Sequence, residues 1–500
     1  MQYDDLFLRI QSTDGEDCRV SARSSAGDEV QGRFRLPAEW IELEHRLGEL
    51  ETLVRGEKWP KAGQRDSASR DVAVPTTPTD LNGFSPQRLG ASLFEALFRG
   101  SIRQQYDRSV GRISDKPDRG LRLWLYFDAD GPALTRLCRL PWELLYDPEE
   151  GQLEEPQFLA LRRVRPVLRQ LPVSRPLVLP AWRSPLRVLA VVPEPNEVAP
   201  LKLDLEIAAL KQVFAGLGAH AKLCVLRGDQ VTAQSVHETL LAEKIQVLHF
   251  IGHGKPDRGQ WGLALCQRST GSLDVVCGER LARLFQDLPD LRLLILNACS
   301  TGQVAASDAG APVGIATTLM LAGIPAVVAM QFRITDRAAI VFSRRFYEQL
   351  VHVDRETMLA GVETALAEAR LAVAEHNPAA WEWVTPVMYA RSSDLFAPPR
   401  VEDEEPGASP RPDGPLTPLA RIGLYVCCAS LQAVGWLGFS RCCSPSMSAS
   451  QRVSCGKRQS ARPSSHRSRS QSVSTPVSLP CNIGCAGSLP PDACSSPCSA

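Results

Sequence analysis

Net charge is the first thing this sequence lacks: 56 Lys and Arg residues are balanced by 56 Asp and Glu residues. Without a basic excess there is no electrostatic reason to expect nucleic acid or an anionic surface as the main partner. The opening also does not read as a secretory leader. The opening MQYDDLFLRIQSTDGEDC places acids where a basic n-region would stand, and no long apolar run follows. The first four hundred residues are therefore expected in the cytoplasm. A phosphate cradle is absent too: Gly252, Gly254 and Gly259 do not satisfy GxGxxG, and no GxxxxGK[ST] occurs. A nucleotide-binding reading would have to do without its loop. Cysteine is sparse before the tail, where only Cys18, Cys138, Cys224, Cys266, Cys277 and Cys299 occur, with no CxxC among them. In a reducing compartment that spacing argues against disulfides and structural zinc. His237, His249 and His352 have no partners at metal-ligand spacing and read as structural.

What is present is a chain of 500 residues with clear changes of regime. At about 100–200 residues per domain, two or three units are expected. Residues 1–55 form a β-rich segment in which Leu6, Leu8 and Ile10 alternate with Phe7, Arg9 and Gln11. The segments CRVSA and GRFRL follow as strands, and after Pro37 a helix carries Trp40, Leu43, Leu47 and Leu50 on one side. Residues 56–85 are polar and read as a mobile linker. Residues 86–396 form the main domain. It opens with a helix at GASLFEALFRG, a strand at GLRLWLYFD and an apolar load at LPWELLYDP, where Trp142 reads as a core anchor. From Arg187 the rhythm is strand–helix–strand, with LRVLAVV, AKLCVL, IQVLHFIG, LRLLILNA and IPAVVAM as aliphatic strands. Unalternating runs of this length are buried on both faces, as in parallel sheets covered by helices. The expected fold class is α/β. Toward the end of the domain a helix places Met358, Val362, Leu366, Ala369 and Val373 on one stripe.

The tail is different in kind. Residues 397–421 are a charged, Pro-rich linker, and residues 422–439 are an uncharged run about long enough for a membrane helix. Its Gly, Ser, Gln and Cys content weakens that reading. The basic residues beyond it favour a cytoplasmic C-terminus, which would put the thiol-bearing domain on the far side of the membrane. Residues 440–500 are rich in Ser, Arg, Pro and Cys and are expected to be disordered. The stretch SSHRSRSQS reads as solvated tail before it reads as a nucleic-acid contact.

Two strand ends carry chemistry. VLHFIGHG runs into His253–Gly254, and LLILNACSTG runs into Ala298–Cys299. Parallel sheets present functional groups at the carboxyl ends of their strands. If these strands are neighbours, an imidazole and a thiol share one crevice. A thiol with a pKa of about 8.5 is only a few per cent ionised at neutral pH. A nearby imidazole raises the thiolate fraction and then protonates a leaving amine. The amides of Gly254 and Cys299 are candidates for an oxyanion hole. Each residue alone reads as an ordinary core cysteine or a hydrogen-bonded histidine. Their order and context make the pair.

The sequence resembles bacterial CHAT domains, relatives of caspases and separases with a His-Gly ahead of an Ala-Cys. The blocks LPWELLYDP, HFIGHG, LNACSTG, GIPAVVAMQFRITDRAA, FSRRFYEQL and EWVTPVMY carry the resemblance. It spans about Gly90 to Phe396, and the N-terminal strands with GRFRLPAEW look like the segment that often precedes it. The resemblance implies a caspase-like, mostly parallel sheet flanked by helices, and peptide-bond hydrolysis through a thioester without metal or organic cofactor. It implies His253 as general base and acid, Cys299 as nucleophile and Gly254 as an oxyanion amide. A protein or peptide is then the substrate, and an activating partner or ligand is expected. The loop STGQVAASDAGAP after the cysteine departs from the family's pattern and leaves specificity open. Asp257, Asp308, Asp336 and Arg333 are candidate pocket charges, each also readable as a solvated or capping residue. No third, orienting acid is evident in the motifs. The competing reading is a catalytically silent CHAT-fold interaction module.

Overall fold

A strand with an almost unbroken run of apolar residues is stable only if both of its faces are covered, and four such segments make the centre of this molecule. A computed structural model describes residues 1–12, 17–45, 54, 85–129, 131–149, 158–173, 177, 179, 184–198, 203–257, 260–298, 314–351, 361–392 and 395. The linker short of Ser85, Met358, Asp308, Cys299 and the segments 397–421, 422–439 and 440–500 therefore lie outside the described residues.

The first strands are β1 (Gln2–Ser12), β2 (Asp17–Ser24), β3 (Glu29–Arg35), β4 (Arg119–Phe127) and β5 (Val167–Gln170). They are followed by β6 (Leu186–Pro193), β7 (Ala221–Gly228), β8 (Val247–Ile251), β9 (Gly254–Asp257), β10 (Gln260–Cys266) and β11 (Leu273–Cys277). The last are β12 (Leu293–Asn297), β13 (Ala326–Met330) and β14 (Pro386–Ala390). Eleven of them form one sheet in the order β3-β2-β1-β4-β5-β14-β13-β12-β8-β6-β7, and β11-β10-β9 form a small second sheet. From β13 to β7 all pairings are parallel, while β13 meets β14 antiparallel. Every residue of β8, β12, β13 and β14 is buried, as their unalternating composition requires.

The helices are α1 (Ala38–His45), α2 (Pro86–Leu97), α3 (Ser101–Gly111), α4 (Gly131–Arg139) and α5 (Leu203–Leu217). After them come α6 (Ala233–Ala242), α7 (Gly278–Phe285), α8 (Ile315–Leu321), α9 (Asp336–Leu350) and α10 (Val362–His376). The architecture is α/β, with a large, mostly parallel sheet flanked by helices and antiparallel strands at its N-terminal edge. Those N-terminal strands do not stand apart: β1 pairs in parallel with β4 over nine residues, from Gln2 opposite Arg119 to Ile10 opposite Phe127. Arg122 reinforces the join, bonding both oxygens of Asp5 and the carboxylate of Glu363 on α10. In β4, Leu121, Leu123, Leu125 and Phe127 are fully buried as one face, but Trp124 and Arg122 on the other face are also buried. On α10 the expected stripe of Val362, Leu366, Ala369 and Val373 is buried.

The LPWELLYDP segment anchors the N-terminal half. Trp142 is fully buried and donates its indole N–H to the Leu137 carbonyl at 2.8 Å. Its neighbour Glu143 is buried between two guanidinium groups. Arg169 of β5 makes a two-armed ion pair with it, and Arg370 of α10 lies 3.8 Å from its carboxylate. Burial works against the charge of Arg169, but Glu143 outweighs that and holds its pKa above the usual range. Burial wins at Arg370 and pushes it down to about 10.

Helix α2 begins at the Ser85 cap, whose hydroxyl accepts from the Arg88 amide, with Pro86 in its first turn. Gly90 on this helix permits the LPWELLYDP backbone to approach closely: a Cβ there would stand 2.0 Å from the Leu144 carbonyl oxygen. Backbone cannot yield as a side chain would. Gly90→Ala is therefore expected to destabilise the fold by about 1–3 kcal/mol or more despite its gain in helix propensity. Urea denaturation checks this, and an unchanged midpoint would contradict the contact.

Candidate active site

Strands β8 and β12 lie side by side and parallel, in a register that sets Ile251 opposite Asn297. Counting two residues beyond each gives His253 and Cys299. The chains remain joined just past the sheet, where the Gly252 amide donates to the Asn297 carbonyl at 3.3 Å. His253 is half-buried, and its carbonyl accepts from the Ala264 amide at 2.9 Å, tying the turn to β10. Gly254 opens β9 and pairs with Leu263. Cys299 lies outside the described residues. Ala298, which precedes it, is buried, and consecutive Cα atoms are about 3.8 Å apart.

A cavity of about 100 Å³ sits at this sheet edge, lined by Gly252, His253, Asn297 and Ala298 from the two strand ends. Leu203 and Glu206 of α5, Ile251, Ile334, and Asp336 and Ala339 of α9 complete its wall. Of the four candidate pocket charges, Asp336 is thus at the cavity. Asp257 is exposed on β9, Arg333 is exposed, and Asp308 is outside the described residues.

Glu206 has no counterpart among the motif residues. Its Oε1 accepts from the Asn297 side-chain amide at 2.7 Å and from the Ser343 hydroxyl at 2.6 Å. Burial pushes its carboxyl up to about 7, against the lowering effect of those two donors, and Asp336 adds to the rise. Behind it, the fully buried His249 of β8 has its Nε2 4.0 Å from Glu206 Oε1, and its Nδ1 is 3.2 Å from the Tyr347 hydroxyl. Burial pulls His249 down to about 3, so it is neutral, in keeping with a structural role. The signal for Glu206 was in the sequence: it falls on the buried stripe of α5 with Leu203, Ile207, Leu210, Val213 and Phe214. An acid on the apolar side of an amphipathic helix is uncommon unless something pairs it.

Burial also raises the thiols of Cys18 to about 11 and Cys138 to about 12, which makes them poor nucleophiles. Among the described residues no group of three His, Cys, Asp or Glu side chains could hold a metal ion, and no helix is long and apolar enough to cross a membrane.

Fold and cavity define an α/β protein in which two neighbouring parallel strands deliver their ends to one small, partly acidic cleft. The CHAT domain family matches residues 87–392, more than half of the chain, and the chain belongs to that family. A search of curated proteins finds no match. Among solved structures the chain is similar to the separase of the Saccharomyces cerevisiae separase–securin complex, at 12% identity and a TM-score of 0.43. That alignment covers 78% of this chain and 30% of the separase chain, so the chain spans under a third of that protein. It is also similar to the Arg-specific cysteine proteinase gingipain R, at 12% identity and a TM-score of 0.36, covering 61% of this chain and 70% of that one. The complex of Porphyromonas gingivalis RgpB pro- and mature domains aligns at 12% identity and a TM-score of 0.36, covering 72% and 78% of the two chains.

Proposed function

We propose that this chain is a caspase-like cysteine endopeptidase in which Cys299 attacks the peptide carbonyl and His253 is its base and acid. The observation that carries the reading is the shared register of β8 and β12, with Ile251 opposite Asn297, which brings both strand ends to one cavity. His253 takes the Cys299 proton, the thiolate adds to the carbonyl carbon, and the tetrahedral oxyanion is held by the amides of Gly254 and Cys299. Collapse expels the amine, which takes the proton back from His253 and leaves a thioester. Water, deprotonated by His253, then hydrolyses the thioester and returns the free thiol. No metal or organic cofactor enters these steps. A protein or peptide is the substrate, and an activating partner or ligand switches the enzyme on.

The test is labelling by a panel of peptidyl chloromethyl ketones differing in the residue before the electrophile, with peptide mapping of the modified cysteine. Preferential modification of Cys299, dependent on peptide sequence and lost in Cys299→Ala, is the expected result. The buried Cys18 and Cys138 serve as internal controls. Labelling that ignores the peptide, together with no peptide cleavage by wild type, overturns the reading in favour of a catalytically silent interaction module.

A further inference from the structure

The buried acid beside the strand ends has a role that the motifs do not assign. We propose that Glu206 is a positioning residue for the nucleophile: it grips Asn297, two residues before Cys299, and fastens the end of β12 to α5 and α9. The inference rests on the reading of Cys299 as the reactive thiol.

Three geometric facts carry it. A single carboxylate oxygen, Glu206 Oε1, accepts both from Asn297 on β12 and from Ser343 on α9, at 2.7 and 2.6 Å. One atom thereby connects three elements at the point where β12 leaves the sheet. Glu206 is 5% exposed and Asn297 is 5% exposed, so neither bond is replaced by water at low cost. Glu206 also lines the cavity that His253 lines. A carboxylate at that wall favours the imidazolium that forms when His253 takes the thiol proton, whereas a neutral carboxyl does not.

The carboxyl is placed to change state near neutrality. Burial raises it to about 7, so it is mostly protonated in mildly acidic solution and mostly ionised above neutral pH. The titratable groups facing it are Asp336, which opposes its ionisation, the neutral His249, Tyr347 and, across the cavity, His253. Tyr347 lies well above its usual range, through burial first and the Glu206 charge second. Asp204, on the same helix, is engaged outward by Arg227. In both states Oε1 can accept from Asn297 and Ser343, so positioning persists through the titration. What changes is the charge felt at the cavity.

Glutamine separates these two contributions, because its side-chain oxygen can still accept from Asn297 and Ser343 but cannot ionise. Alanine removes both. The experiment measures the rate of Cys299 alkylation by iodoacetamide from pH 5 to 9 in the full-length chain, with mapping of the modified peptide, for wild type, Glu206→Gln, Glu206→Ala and Asn297→Ala. In wild type a rise centred near pH 7 is expected below the thiol's own titration. Glu206→Gln should retain the rate at pH 5.5 within about threefold and lose that rise, while Glu206→Ala and Asn297→Ala fall about tenfold, the size of one lost hydrogen bond to a charged group. A merely structural role would lower the melting temperature of Glu206→Gln without touching the pH profile. Matching pH profiles for wild type and Glu206→Gln, or full reactivity in folded Glu206→Ala, would overturn the proposal. Should Glu206→Ala not fold, Asn297→Ala tests the positioning and the glutamine profile tests the charge. Iodoacetamide needs no peptide recognition, so the outcomes are separable. A Glu206-dependent profile without peptide cleavage sinks the peptidase reading and keeps the positioning role. Peptide cleavage with an indifferent profile does the reverse.

Discussion

His253→Ala is expected to slow peptide hydrolysis by about 10²–10⁴-fold, with most of the loss in kcat and little in KM. The imidazole is needed twice, once to ionise the thiol and once to protonate the leaving amine. Glu206 and Asp336 are the remaining titratable groups of the wall described here. Glu206 cannot supply a proton to an amine at alkaline pH, since it ionises near pH 7. The deficit should narrow as pH rises through about 8.5, where the thiol ionises unaided. It should not vanish, because the acid step stays unassisted. His253 is half-buried on a turn, so the variant is expected to melt close to wild type. Rates on a fluorogenic peptide across pH 6–9 check this. A variant within threefold of wild type at pH 7 would mean that another group takes the thiol proton.

The second large effect lies far from the cleft. Glu143→Ala is expected to cost about 3–5 kcal/mol, because it strands two buried guanidinium groups at once. Arg169 is fully buried and Arg370 is 1% exposed, and Glu143 is the carboxylate within ion-pair distance of both. Their carbonyl partners at Cys138, Leu140 and Pro386 satisfy N–H groups but do not neutralise charge. Gln331 would also lose the acceptor that it reaches at 3.1 Å. Converting the pair to Glu143→Met with Arg169→Met should recover part of the loss, since removing both charges removes the desolvation penalty that one alone incurs. Chemical denaturation of the three proteins checks the order. Equal midpoints for wild type and Glu143→Ala would show that the charges are solvated after all.

Much of this molecule could be read from its sequence. The unalternating runs VLHFI, LLILN and AVVAM can be stable only when covered on both faces, and they became adjacent central strands. The His-Gly and Ala-Cys pairs were visible because each ends such a run. Glu206 was harder to see. One acid in an amphipathic helix reads as a surface residue until its helix is turned, and only the placement of Leu203, Ile207 and Leu210 shows that it faces inward. The pairing of β1 with β4 was also beyond local pattern, since about a hundred residues separate the partners and alternation says which face is buried without saying which strand is beside it.

Sequence alone determined the α/β class, the covered central strands and the order of the His-Gly and Ala-Cys turns, because periodicity and composition are local properties of a chain. Tertiary structure decided the rest. Which strands are neighbours, how Ile251 comes to face Asn297, and why a glutamate is held in the core all depend on contacts between residues distant in the chain. Such contacts follow from how helices and sheet pack, and no local window of residues encodes that geometry.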